Sequence, residues 1–151
     1  MIDDIPPDEA RIFKPFTKIY QRGESIIIEG QKDDMGLFLL RVGSVCVYRK
    51  RLGGRDLISS IEAINFFGEM ALLLNAPRSA TVEASSETVV VYAFQTPDLN
   101  KLLSNPKWGQ MLVERLCHDL RQSNTHLTEL REENRILMEQ NRDLMQRIRG
   151  S

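Results

Sequence analysis

Chemistry in this chain concentrates between Phe67 and Ala84, where Glu69 and Arg78 stand nine residues apart among mostly small and apolar neighbours. Gly68 leads a segment that reads as a helical turn between β-like runs, so the turn's first backbone N–H groups are free to meet an anion. Arg78 follows Pro77 and precedes Ser79 and Ala80. Its guanidinium is a planar, permanently charged fork that matches two phosphate oxygens, and the small residues after it let a ligand lie close to the backbone. An ionised carboxylate only accepts hydrogen bonds, so Glu69 suits a hydroxyl donor such as a ribose 2′-OH. The set implies a small ligand with one anionic and one hydroxylated end. Taken singly the residues have plainer readings: Arg78 in a surface salt bridge (Glu69 among the partners), Glu69 as an acid at a helix N-terminus, Ser79 as a small turn residue.

The elements that must position these groups fall into three zones. Residues 1–15 read as a short helical lead-in, with Pro6-Pro7 stopping what precedes and Asp8-Glu9 suited to a helix N-terminus. Residues 16–104 form the ligand-binding domain. Its runs Ser25–Ile28, Gly36–Val42, Val45–Tyr48, Asp56–Ile61 and Val89–Phe94 read as short strands. Gly23, Gly30, Gly43 and Gly53-Gly54 separate them as turns with positive φ expected. Strands at this spacing predict a jelly-roll-like β-roll. Thr96-Pro97-Asp98-Leu99 starts a short helix through Leu103. With the long helix that follows, the fold class is α+β.

Residues 105–151 read as a dimerisation helix. From Lys107 to Arg149 the only helix-breaking residue is Gly109, and a continuous helix there would run about 60 Å at ~1.5 Å per residue. Val113, Leu120, Leu127, Asn134, Asn141 and Ile148 repeat every seven residues, with Leu116, Ser123, Leu130, Leu137 and Leu144 in the companion series. That is the a/d pattern of a coiled coil. Asn at a, with Leu dominating d, favours a parallel two-stranded pairing, so a homodimer through residues 113–148 is expected. Met138 and Met145 at e broaden the apolar stripe, and the distal coil is where a protein partner would dock.

Composition bounds the rest. The chain has 151 residues, 42% hydrophobic and 27% charged, with net charge −1. Neither side of Asn105 is a basic half: 12 basic and 14 acidic residues precede it, 8 and 7 follow. No overall field therefore draws the chain to nucleic acid or an anionic membrane. Cys46 and Cys117 are too few and too far apart for a disulfide framework or metal site. No signal-peptide h-region and no apolar run of ~20 residues is present, so a reduced, cytoplasmic protein with no membrane partner is expected. His118 and His126 lack a carboxylate–nucleophile constellation, and Asp33-Asp34 lack partners for a metal. Trp108 reads as a packing residue. No enzymatic activity is expected.

The run from Phe67 to Ala84 resembles the phosphate-binding cassette of the cyclic-nucleotide-binding domain family, which includes the bacterial catabolite activator protein and protein kinase A regulatory subunits. Gly23-Glu24-Ser25-Ile26-Ile27-Ile28-Glu29-Gly30, Asp33 and Gly43-Ser44-Val45-Cys46-Val47 resemble its β-roll turns, so the likeness covers roughly residues 14–100. One departure is Ile64-Asn65-Phe66, where the family usually has a glycine. The resemblance implies that Glu69 binds the ribose 2′-OH and Arg78 the exocyclic phosphate oxygens. Backbone N–H groups near Gly68, Met70, Ala71 and Ala80 would complete the cradle, with the Ser79 hydroxyl in reach. Serine after the arginine resembles cAMP-binding bacterial members, with cGMP still possible. By the same resemblance Ser123 and Asn124 fall where the dimer helix offers two polar residues to the adenine 6-amino group. Ser123 could equally be a tolerated polar defect in the seam.

The expectation is a dimeric sensor that couples cyclic-nucleotide binding to the position of its C-terminal helix. A coiled-coil scaffold with a degenerate pocket, or the sensor part of a truncated transcription regulator, are the alternatives. No helix-turn-helix and no basic arm is seen before Ser151, so this chain is not expected to bind DNA.

Overall fold

A computed structural model describes residues 2–32, 36–69 and 76–150. The chain divides into two compact units, Met1–Leu112 and Val113–Ser151.

In the first unit, α1 (Pro7–Phe13) begins with proline at its first position, where a missing N–H costs nothing, and carries Asp8 and Glu9 in its first turn. A 3-10 turn, Lys14–Phe16, leads into the strands. They are β1 (Thr17–Gln21), β2 (Ser25–Ile27), β3 (Leu37–Val42), β4 (Ser44–Arg51), β5 (Gly54–Glu62), β6 (Asn65–Phe67), β7 (Thr81–Ala84) and β8 (Thr88–Phe94). These eight form two antiparallel four-stranded sheets, β1-β8-β3-β6 and β2-β7-β4-β5, packed as a roll. Helices flank the roll, and the α+β architecture is the expected one.

Three strands escape the periodicity reading. β1 is an edge strand of mixed residues, Thr-Lys-Ile-Tyr-Gln, and β6 and β7 have three and four residues. Each is defined by its pairing partner more than by its own pattern. Gly23, Gly30, Gly43 and Gly53 take φ between 81° and 90°, as expected of turns. Gly54, expected in the turn, instead opens β5 opposite Arg51. At Gly43 a side chain is excluded: a Cβ would lie 2.4 Å from Ser86 Oγ and 2.5 Å from the Thr88 carbonyl oxygen.

Alternation on β3 and β8 builds two cores from one sheet. Phe38, Leu40, Val89 and Val91 point into the roll and meet Val45, Ile61 and Val82 of the other sheet. Leu37, Leu39, Tyr92 and Phe94 point the other way, against Phe13, Leu102 and Trp108. Both faces of these strands are covered, which is why they read as continuous apolar runs. Phe13 stacks on Tyr92 at 5.2 Å and lies 4.5 Å from the Trp108 ring. Glu9 ties α1 to this sheet, accepting from Arg41 Nε at 2.6 Å and from the Tyr92 hydroxyl at 2.9 Å.

The helix expected over 96–103 is a 3-10 turn, Thr96–Asp98, followed by α2 (Leu99–Leu103). Asp98 Oδ2 accepts from the Gln95 N–H at 3.0 Å in a capping box. The last helix, α3, spans Pro106–Arg149, and Asn105 caps it through Oδ1, which accepts from the Lys107 N–H at 3.1 Å. Its segment to Leu112 belongs to the first unit, where Trp108 is buried. The second unit is the remainder of α3, with Arg135 clasped by Glu132 and Glu139 at 2.6 Å each. Among the described residues no helix is long and apolar enough to cross a membrane.

Candidate functional site

The site begins where β6 ends. Phe67 pairs with Phe38 across the β3–β6 ladder, their rings stacked at 5.1 Å, and the chain then turns sharply at Gly68 with φ 81°. The turn leaves little room for a side chain. A Cβ on Gly68 would meet the Gly36 carbonyl oxygen and Phe38 Cδ2 at 3.1 Å and an Arg78 guanidinium nitrogen at 3.2 Å. Positive φ and crowding together favour glycine there. The approach to β6 passes a cis peptide bond between Ala63 and Ile64, and Asn65, in the segment that departs from the family pattern, pairs with Leu40.

Glu69 and Arg78 are 5% and 4% exposed, and they are the two buried charged residues among those described. Ionised groups leave water at a cost of several kcal/mol each unless paired or hydrogen-bonded, so the fold is built around holding them. Two of the groups that hold Arg78 are backbone oxygens. One terminal nitrogen donates to the Gly68 carbonyl at 3.2 Å and the other to the Gly36 carbonyl at 3.0 Å. The guanidinium carbon also lies 5.8 Å from the Phe38 ring centre. The main chain of Arg78 is equally constrained. Its N–H donates to the Gln31 carbonyl at 2.9 Å, and its own carbonyl accepts from Gly30 N–H at 2.8 Å. Thr81 then takes the Glu29 N–H on its hydroxyl at 3.0 Å as β7 begins. Arg78 is thus a buried residue and not a surface one.

The expected site residues sort clearly. The structure brings Gly68, Glu69 and Arg78 together at the end of β6, Arg78 directly against Gly68. Ser79 is exposed and Ala80 half-buried, both in the bend between Arg78 and β7. Met70 and Ala71 lie outside the described residues, as do Asp33 and Asp34. Ser123 and Asn124 belong to the second unit, exposed on α3. Sequence reasoning missed Gly36 and Gln31, whose carbonyls fix the Arg78 side chain and main chain. Any residue type offers a carbonyl, and these contacts span 42 and 47 positions, so no local pattern announces them.

A guanidinium anchored at both terminal nitrogens is pre-oriented, and a buried carboxylate nine residues earlier supplies an acceptor for a hydroxyl. Together they offer a cation and an acceptor on one side of the roll.

Comparison with known proteins agrees. The family model described as "Cyclic nucleotide-binding domain" matches residues 17–105. The chain is 38% identical over 69 residues to a cAMP-dependent protein kinase regulatory subunit of Mycosarcoma maydis, covering 46% of this chain and 13% of that protein. It is 29% identical over 128 residues to the cyclic AMP receptor protein of Thermus thermophilus, covering 82% and 58%. Among solved structures, the Thermus thermophilus catabolite activator protein matches with a TM-score of 0.64 and 27% identity, over 84% of this chain and 61% of that one. The chain spans only 13% to 28% of the length of the fungal kinase regulatory subunits it matches. With more than half its residues matched and the roll and arginine turn in place, the chain belongs to the cyclic nucleotide-binding domain family.

Proposed function

We propose that this chain is a cAMP sensor in which Arg78 pairs with the exocyclic phosphate oxygens and Glu69 accepts from the ribose 2′-OH. The observation that carries the reading is the burial of both charges beside Gly68, with Arg78 anchored on two carbonyls. Backbone N–H groups of Gly68, Met70, Ala71 and Ala80 and the Ser79 hydroxyl complete the phosphate cradle. Relatives whose names include cAMP support adenine over guanine. The role is regulatory and not catalytic, in a cytoplasmic protein.

The sensor acts as a parallel homodimer through residues 113–148. In support, Val113, Leu120, Leu127, Leu130, Leu137, Leu144 and Ile148 all stand exposed on α3 at a/d positions. Each is worth about 1.5–3 kcal/mol when fully buried, so a second copy has much to cover. Ser123 and Asn124 of the dimer helix then reach the adenine 6-amino group. Ligand binding biases the start of α3, where Trp108 shares a cluster with Tyr92 of β8.

Calorimetric titration of cAMP and cGMP into the full chain, with its mass from sedimentation, tests this. A dimer with micromolar or tighter cAMP affinity and weaker cGMP binding is expected. Tighter cGMP binding overturns the ligand choice. A folded dimer that binds neither nucleotide is a coiled-coil scaffold, and a monomer at micromolar concentration overturns the seam.

A further inference from the structure

One charged side chain sits on the wrong face of the roll. In the β1–β8 ladder Lys18 lies opposite Val91 and Tyr20 opposite Val89, and directly opposed residues share a face. Val89 and Val91 belong to the inner core, so Lys18 holds a core-face register position on its edge strand while its side chain stays exposed at the rim of the roll. A lysine there protects an edge against strand addition, which needs no cavity. Yet Lys18 lines a cavity of about 400 Å³ that also takes in Arg78, Tyr20, Phe38, Ala93 and Asp98. The volume falls in the range of small-molecule sites, about 300–1,000 Å³.

The lining has a definite chemistry. Phe38 and Ala93 are neighbours on β3 and β8 and form an apolar floor, with Tyr20 as a wall. Lys18 and Arg78 bring two cations against one carboxylate, and Asp98 already accepts the Gln95 N–H in its capping box. Among the described cradle residues Gly68, Glu69, Ser79 and Ala80 do not line this cavity, which shares Arg78 and its anchor Gly36 with that site. We propose that the cavity is a second ligand site, for a small organic anion whose apolar body rests on Phe38 and Ala93 while its charge meets Lys18. The proposal goes beyond the cAMP reading and does not require it.

The test titrates phenyl phosphate into the full chain, following backbone amide shifts, with inorganic phosphate as the control. Submillimolar binding that shifts Lys18, Tyr20 and Ala93 is expected, with inorganic phosphate at least tenfold weaker. Lys18→Met keeps the aliphatic stem and removes the charge. It should weaken phenyl phosphate at least tenfold while leaving cAMP affinity within about twofold of wild type. Ala93→Leu fills the floor and should abolish phenyl phosphate binding in a protein whose Trp108 fluorescence remains native. Phenyl phosphate affinity unchanged by Lys18→Met, equal affinity for inorganic phosphate, or no binding at millimolar concentration would each overturn the site. Because cAMP is titrated separately, loss of cAMP binding in the wild type would sink the nucleotide reading and leave this one to its own probe.

Discussion

Replacing Arg78 with alanine separates a ligand-binding arginine from a merely structural one. In the folded chain the guanidinium's bonds include two charge-assisted ones, to Gly68 and Gly36 at 3.2 and 3.0 Å. At about 1.5–3 kcal/mol each, the gross loss is roughly 3–6 kcal/mol. Removing a 4%-exposed cation also recovers its desolvation cost, and water entering the vacated space can reach both carbonyls. A net destabilisation of about 2 kcal/mol is therefore expected. Urea unfolding read through the single, buried tryptophan, Trp108, measures it. Affinity is the larger effect. Removing one partner of a buried charged contact costs about 2–5 kcal/mol, so cAMP binding should weaken roughly 30- to 5,000-fold. Arg78→Lys keeps the charge but loses the fork, and should fall between wild type and alanine. If Arg78→Ala loses stability as expected but binds cAMP within threefold of wild type, the arginine only braces the Gly68 turn. That result would falsify its assignment to the phosphate.

Other perturbations probe neighbouring links. Gly68→Ala forces a Cβ into positive φ at about 1–2 kcal/mol and pushes against the Arg78 guanidinium; cAMP affinity should drop about tenfold, read by calorimetry. Burial, then the bond to Glu9, holds the Tyr92 phenol well above its ordinary value. The unfolded chain therefore loses this proton first, so the contribution is complete below pH ~10 and declines as pH rises beyond it. Tyr92→Phe should cost about 1.5 kcal/mol at neutral pH and flatten that alkaline decline in urea midpoints measured against wild type. Ser123→Leu should tighten the dimer in sedimentation and weaken cAMP binding; unchanged affinity would remove Ser123 from the site.

Much of this protein could be read without coordinates. The strands β2, β3, β4, β5 and β8 show themselves because alternation and glycine turns are local. Glu69 and Arg78 were legible because a charged pair in a glycine-led, alanine-rich cassette is a poor core and a good binding turn. The heptad series of α3 was legible as well, since a helix repeats its faces every few residues. Hidden from view were β1, β6 and β7, whose short or mixed runs become strands only by pairing with β8, β3 and β4.

The sequence by itself determined which residue types are available: a carboxylate, a guanidinium and a glycine that can turn between them. Only the tertiary structure decided that both charges are buried, because burial is a property of what surrounds a residue. It also decided that Arg78 is held by the carbonyls of Gly36 and Gly68 and that Lys18 stands at the rim of a cavity that Arg78 also lines. Those relations depend on strand register and on contacts between distant positions, which no local pattern of side chains encodes.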